Sequence, residues 1–177
     1  PEVNGDDAAA HQGIVSNPNC STIQLVCALA PLHAAAGLEH VTIATYQAVS
    51  GTGAKAVEEL RSQSEALLAG DAAKPVVYPH QIAFNAIPQC DSFEGDSTLE
   101  ERKLVLESQK ILGDGTIGIH ATCVRVPVWR GHSEAVWLET RLTNSIASLS
   151  NAYQKIATAL AARNVTYAKA YNVEYPT

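Results

Sequence analysis

"TIGIHATCVRVPVW", Thr116 to Trp129, is the longest strand pattern in the chain, and its reading decides the fold. Its residues alternate, with Ala121, Cys123, Arg125 and Pro127 on one face and His120, Thr122, Val124, Val126 and Val128 on the other. The turn "RGH", Arg130 to His132, predicts a hairpin that folds this strand onto a second one, "EAVWLET". Arg125 is out of place in so apolar a strand: an unpaired charge there is costly, so the guanidinium needs an anion. That anion is either a protein carboxylate, which the sequence alone favours, or the carboxylate of a substrate held in a bidentate fork.

Upstream of this strand, helices and strands alternate. "GIVSNPNC" reads as a short strand and turn, and Cys20 to Ala36 as a helix closed by Gly37, with Pro31 removing one backbone donor. "HVTIATYQAV" is a β-branched strand broken by "SGTG" and followed by a helix from Ala54 to Ala69. Lys74 to Gln89, with three prolines, predicts strand edges and loop, with "QIAFNAI" buried. A helix from Thr98 to Leu112 follows the loop "QCDSFEGD", and Ser97 with Glu100 matches a capping box. Past the second strand, Asn144 to Arg163 has a loose helical pattern and "NVTYAKAYNVEY" looks extended. The expected class is α+β, a mixed, largely antiparallel sheet with helices mainly on one face.

Composition narrows the function. The 177 residues suit one globular domain, and twelve basic against eighteen acidic residues give a net charge of −6 with no basic face for nucleic acid. No apolar run reaches the ~20 residues of a membrane helix, and the N-terminus lacks the pattern of a signal peptide, so the expectation is an intracellular protein without a membrane partner. Cys20, Cys27, Cys90 and Cys123 have neither disulfide-framework nor zinc spacing and read as free thiols, with no metal. The chain has no Met and opens on Pro1, which points to a piece of a longer protein.

Cys20 follows a Pro-Asn turn at the start of a helix, where unpaired N–H groups and about half a positive charge favour a thiolate. For a lone cysteine a core role is commoner, and the helix terminus brings the nucleophile reading level with it. His132 follows the glycine of a tight turn, where an imidazole is either held at a sheet edge or simply exposed. Glu100 and Lys103 lie one helical turn apart, a spacing shared by solvated faces and paired binding groups. "GDGTIG" matches a dinucleotide fingerprint in letters only, because it runs from helix to strand. "SGTG", at Ser50 to Gly53, has the correct strand-to-helix order and can approach a phosphate or a cofactor edge.

Taken together, "NPNCSTIQ", "TYQAVSGTG", "YPHQIAFNAIPQ", "EERK" and "CVRVPVWRGHSEAV" resemble, in order and spacing, the catalytic half of the aspartate-semialdehyde dehydrogenase family. The resemblance runs from about Pro1 to Leu138 and fades beyond Thr140. It implies a fold similar to the C-terminal domain of the glyceraldehyde-3-phosphate dehydrogenase type, with residues 1–16 a remnant of a nucleotide-binding half and linker, and 17–177 the catalytic and dimerisation domain. The implied reaction converts aspartyl phosphate to aspartate semialdehyde and phosphate with NADP as cofactor, through a cysteine thioester, in a cytoplasmic homodimer serving lysine, methionine and threonine biosynthesis. Cys20 matches the family nucleophile and His132 its acid/base. Arg125 matches the clamp for the substrate carboxylate, Gln47 a substrate-orienting glutamine, Glu100 the partner of the substrate amine, Lys103 a phosphate ligand, and Asn19 the residue preceding the nucleophile. Ser50 and Gly51 match a segment close to the cofactor, most of whose site is expected in the missing half. Two other readings stay open: a non-catalytic homodimerising domain, or a related acyl-phosphate reductase such as the N-acetylglutamyl phosphate type.

Overall fold

Asn19 starts the first helix by placing its side-chain oxygen over the free N–H groups of Ser21 and Thr22, and Gly37, at φ 64°, ends it; between them lies α1 (Cys20–Ala36). In the computed structural model, which describes residues 2–141 and residue 154, the strand β1 (Leu38–Gln47) follows directly. Pro31 lies inside α1 without ending it. From Val41 onward alternate residues of β1 are buried, namely Val41, Ile43, Thr45 and Gln47, while Thr42 and Tyr46 face outward. A short turn, Val49–Thr52, leads to α2 (Ala54–Leu68), and the two-residue strands β2 (Phe93–Glu94) and β3 (Ser97–Thr98) pair before α3 (Leu99–Leu112). The last described elements are β4 (Gly118–Arg125) and β5 (Ser133–Thr140). The helical pattern at 144–163 and the extended stretch after it lie outside the described residues.

The strands β4 and β5 form, but not as a hairpin. The sheet order is β4-β1-β5, with β1 parallel to β4 and antiparallel to β5. Alternation fixes which side chains face the core and says nothing about which strand lies alongside. The connection after Arg125 instead crosses the end of β1, where Val49 and Ser50 donate their N–H groups to the carbonyls of Val128 and Trp129. The segment expected as a strand before Cys20 carries no strand, and its Ile14 is 95% exposed.

Helices α1 and α3 cover one face of this mixed sheet. Leu25 and Leu29 of α1 and Leu104 of α3 meet Leu38, Val41 and Ile43 of β1 and Ile119 and Cys123 of β4 in the main core. A second core joins Ala56 and Leu60 of α2 to Val49, Tyr78, Ile82, Ala83 and Ile87. Burial of the "QIAFNAI" stretch is therefore confined to its small and aliphatic positions, and Phe84 stays exposed. On the opposite sheet face, Tyr46 and Trp137 are exposed.

The capping box of α3 is one residue later than the Ser97–Glu100 pattern suggests. Thr98 accepts from the Glu101 N–H, and the Glu101 side chain accepts from the Thr98 N–H at 2.8 Å. The second Glu101 oxygen accepts from the N–H of Cys123 at 2.9 Å, tying the helix start to β4. Glu101→Ala is accordingly expected to cost about 1–3 kcal/mol of stability, because a cap and a β4 N–H both lose their acceptor. Urea unfolding checks this: Glu100→Gln should leave the midpoint nearly unchanged by comparison. Gly113, in the left-handed conformation at φ 69°, closes α3, which accounts for the first glycine of "GDGTIG" as a helix stop.

Candidate active site

Two parallel strands place their carboxyl ends side by side, and the residues at those ends, Gln47 and Arg125, are direct register partners. The N-terminus of α1 arrives over the same edge, so its first residue, Cys20, shares a pocket of about 300 Å³ with Gln47 and Arg125. Asn19, Gly51, Thr52, Asp91 and Glu100 complete the lining. Six residues singled out from the sequence thus converge: Asn19, Cys20, Gln47, Gly51, Glu100 and Arg125.

Arg125 is 8% exposed, and among the described residues no carboxylate forms an ion pair with it. The structural salt bridge that the strand pattern favours is therefore not formed among them. One guanidinium nitrogen donates to the carbonyl of Ala48 at 2.8 Å, the group lies 5.9 Å from the centre of the Tyr78 ring, and its Nε is buried without a hydrogen bond. A buried charge left in this state has donor capacity to offer an anion that enters the pocket. Gln47 is similar: its amide nitrogen donates to Ser21 Oγ and Thr45 Oγ1, while its Oε1 is buried without a partner.

His132 is half-buried beside this cluster. Its Nδ1 accepts the N–H of Ala48 at 3.0 Å, which leaves the proton of the neutral ring on Nε2. A side chain at Gly51 would meet Nε2 at 3.1 Å and the Arg125 Nη1 at 3.3 Å, so glycine is what lets the imidazole and guanidinium come this close to the backbone turn. Burial, reinforced by the Arg125 charge and opposed by Glu100, holds the imidazole pKa below its ordinary value. Neutral His132 is thus suited to donate from Nε2 to an oxyanion.

The Cys20 thiol departs from the lowered pKa that a helix terminus suggests. Loss of water at the pocket wall is the largest influence and pushes it up, and the Glu100 carboxylate adds to this; the Ser21 and Cys20 N–H groups and Arg125 pull the other way. Alkylation of Cys20 by iodoacetamide, followed by peptide mass, should consequently rise with pH through a midpoint above the ~8.5 of a free thiol. A midpoint below that value would show that the helix terminus dominates.

Three placements refine the sequence reading. Lys103 does not line the pocket; its ammonium donates to Asp91 Oδ2 at 3.1 Å, and Asp91 does line it. Ser50 is exposed, held through its backbone to Trp129. Of the two glutamates at the start of α3, Glu101 is committed to the cap and to Cys123, and Glu100, 8% exposed, faces the pocket. Sequence reasoning missed Asp91, which sits in an irregular loop where no periodicity assigns a direction. It also missed Glu107, whose carboxylate accepts the Asn19 N–H at 2.7 Å and so fixes the turn before the cysteine.

The described residues do not fit a whole dinucleotide. Ser50 and Gly51 offer one short turn, and the helix after it begins at Ala54, with Gly53 at its N-cap and no side-chain cap.

Fold and pocket together define an α+β domain built around a helix-terminal cysteine and a buried arginine that has no carboxylate partner among the described residues. The chain belongs to the semialdehyde dehydrogenase family: the model of its dimerisation domain matches residues 29–177, well past the point where the motif resemblance fades. Aspartate-semialdehyde dehydrogenase of Aquifex aeolicus is 51% identical over 144 residues, covering 79% of this chain and 42% of that protein. The Bacillus subtilis enzyme of the same name is 49% identical over 147 residues, again covering 42% of the relative. A crystal structure of aspartate semialdehyde dehydrogenase II from Vibrio cholerae, complexed with ASA, superposes with a TM-score of 0.84 at 43% identity, covering 88% of this chain and 47% of that one. The chain therefore spans less than half the length of the relatives it matches.

Proposed function

We propose that this chain is the catalytic and dimerisation part of an NADP-dependent aspartate-semialdehyde dehydrogenase, with the division between nucleotide-binding and catalytic parts near residue 17. The observation that carries the reading is Arg125, a buried guanidinium without a carboxylate partner among the described residues, opening on the same pocket as Cys20. In this reading the Cys20 thiolate attacks the acyl carbon of aspartyl phosphate; the carbon–sulfur bond forms as the bond to the phosphoryl oxygen breaks, releasing phosphate and leaving a thioester. NADPH would supply the hydride that reduces the thioester, from a site made mostly by residues outside this chain.

The remaining roles belong to side chains of this chain. Arg125 grips the substrate carboxylate, and the free Oε1 of Gln47 accepts from the substrate ammonium. Glu100 faces the ammonium, and Lys103 serves the phosphoryl group. His132 donates from Nε2 to the carbonyl oxygen as negative charge develops there, and Asn19, by accepting the Ser21 and Thr22 N–H groups, holds the helix terminus that positions Cys20. Ser50 and Gly51 form the cofactor-facing turn.

The exposed sheet face bearing Tyr46 and Trp137 supports a homodimer, in keeping with a family model named for dimerisation. No helix among the described residues is long and apolar enough to cross a membrane, which is compatible with the cytoplasmic location of this reading. A substrate panel tests it. Aspartyl phosphate should acylate the chain, and N-acetylglutamyl phosphate should not, because an acetylated amine gives Glu100 nothing to neutralise. Equal acylation by both would favour the related acyl-phosphate reductase.

A further inference from the structure

Lys103, the residue suited to a phosphoryl group, is already occupied by an anion of the protein. Its Nζ donates to Asp91 Oδ2 at 3.1 Å, and Asp91, not Lys103, lines the pocket with Cys20. The aspartate is held in place on its other side, where Oδ1 accepts the Ser92 N–H at 2.9 Å, and the Ser92 carbonyl accepts the N–H of Leu99 at the start of α3. Its backbone has φ 70°, a left-handed conformation that aspartate and asparagine tolerate better than other side chains. Two carboxylates, Asp91 and Glu100, thus face the pocket beside the single guanidinium of Arg125.

We infer that Asp91 is a competing anion that sets the affinity of the pocket for phosphate, holding Lys103 until a phosphoryl group takes its place. The inference rests on the reading of this pocket as an acyl-phosphate site, and adds to it a residue that weakens binding. Its logic is electrostatic. An incoming phosphoryl group meets the Asp91 charge, and must share or displace it to reach the ammonium. A reaction that liberates phosphate gains from this arrangement, since a site of bare cations would retain the product, whereas a neighbouring carboxylate returns the lysine to its resting partner. The pair is partly exposed, so the competition is of moderate size and weakens with salt.

The test uses inorganic phosphate as the probe and the full 177-residue chain as the protein. Cys20 is alkylated with iodoacetamide, a neutral reagent, in increasing phosphate at constant ionic strength, and the labelled peptide is quantified by mass. Asp91→Asn keeps the size, the acceptor for Ser92 and the tolerance for a positive φ, so the loop is preserved. The variant should lower the half-protecting phosphate concentration by about two- to fivefold. Lys103→Gln should raise it, and Asp91→Glu should stay near the parent. Equal protection of parent and Asp91→Asn would overturn the role of Asp91 and leave the pocket reading standing. Weaker protection of Asp91→Asn would make Asp91 a support for the lysine and overturn the competition. Protection of neither chain would overturn both the competition and the acyl-phosphate site on which it rests.

Discussion

Replacing Cys20 with alanine is expected to abolish covalent acyl transfer, a loss of about 10⁴-fold or more, as for removal of other enzymic nucleophiles. The other thiols do not take its place. Cys90 and Cys123 are buried in the main core, where loss of water pushes them up to about 11 and about 12 respectively, and neither lines the pocket. Cys27 lies two turns further along α1 and is also absent from the pocket. Cys20 is itself exposed at the first position of the helix, and its cap comes from Asn19, so the substitution should change stability by only about 0.5 kcal/mol. A normal melting curve with no acyl adduct in the intact mass is the expected pair of results. An adduct on the alanine variant would move the nucleophile elsewhere.

Arg125→Leu should raise the half-saturating aspartyl phosphate concentration in the acylation assay by about 30-fold or more, the scale for removing one partner of a desolvated charge pair. Stability should respond in the opposite spirit. Breaking a buried salt bridge costs about 3–5 kcal/mol because a partner charge is stranded, and among the described residues Arg125 has no such partner to strand. The Ala48 carbonyl that it contacts also accepts the Gly51 N–H, and the side chain rests against Tyr78, an apolar surface that leucine can cover. Thermal unfolding within a few degrees of the parent, together with the binding loss, is the predicted signature. A large drop in melting temperature with unchanged acylation would make Arg125 structural.

What could be read from the sequence follows the range of each signal. The alternation around Arg125 sorted Cys123 and Arg125 onto one face, which the structure buries, because a period of two is a local property of one strand. The neighbour of that strand was not legible: "RGH" between two strand patterns suggests a hairpin, yet β1, from some seventy residues earlier, occupies the place between them. The capping box slipped by one residue because Ser97 and Thr98 are both competent caps, and only the position of Cys123 decides which glutamate is drawn inward. That slip matters to the site, since committing Glu101 to the cap leaves Glu100 for the pocket.

Asp91 shows the other limit. Loops without periodicity assign no direction to a side chain, and its ion pair with Lys103, twelve residues on, depends on how the loop before α3 folds back. The Cys20 environment shows a third limit, one of magnitude: a helix terminus and the pocket wall act on the same thiol with opposite signs, and only the partial loss of water at that wall and the nearness of Glu100 decide the direction.

The most direct test of the central claim is to expose the purified chain to aspartyl phosphate, quench in mild acid, and map the adduct by peptide mass. The account predicts one aspartyl thioester, on the peptide containing Cys20, released by hydroxylamine. An adduct on another residue, or none on the folded chain, would contradict it.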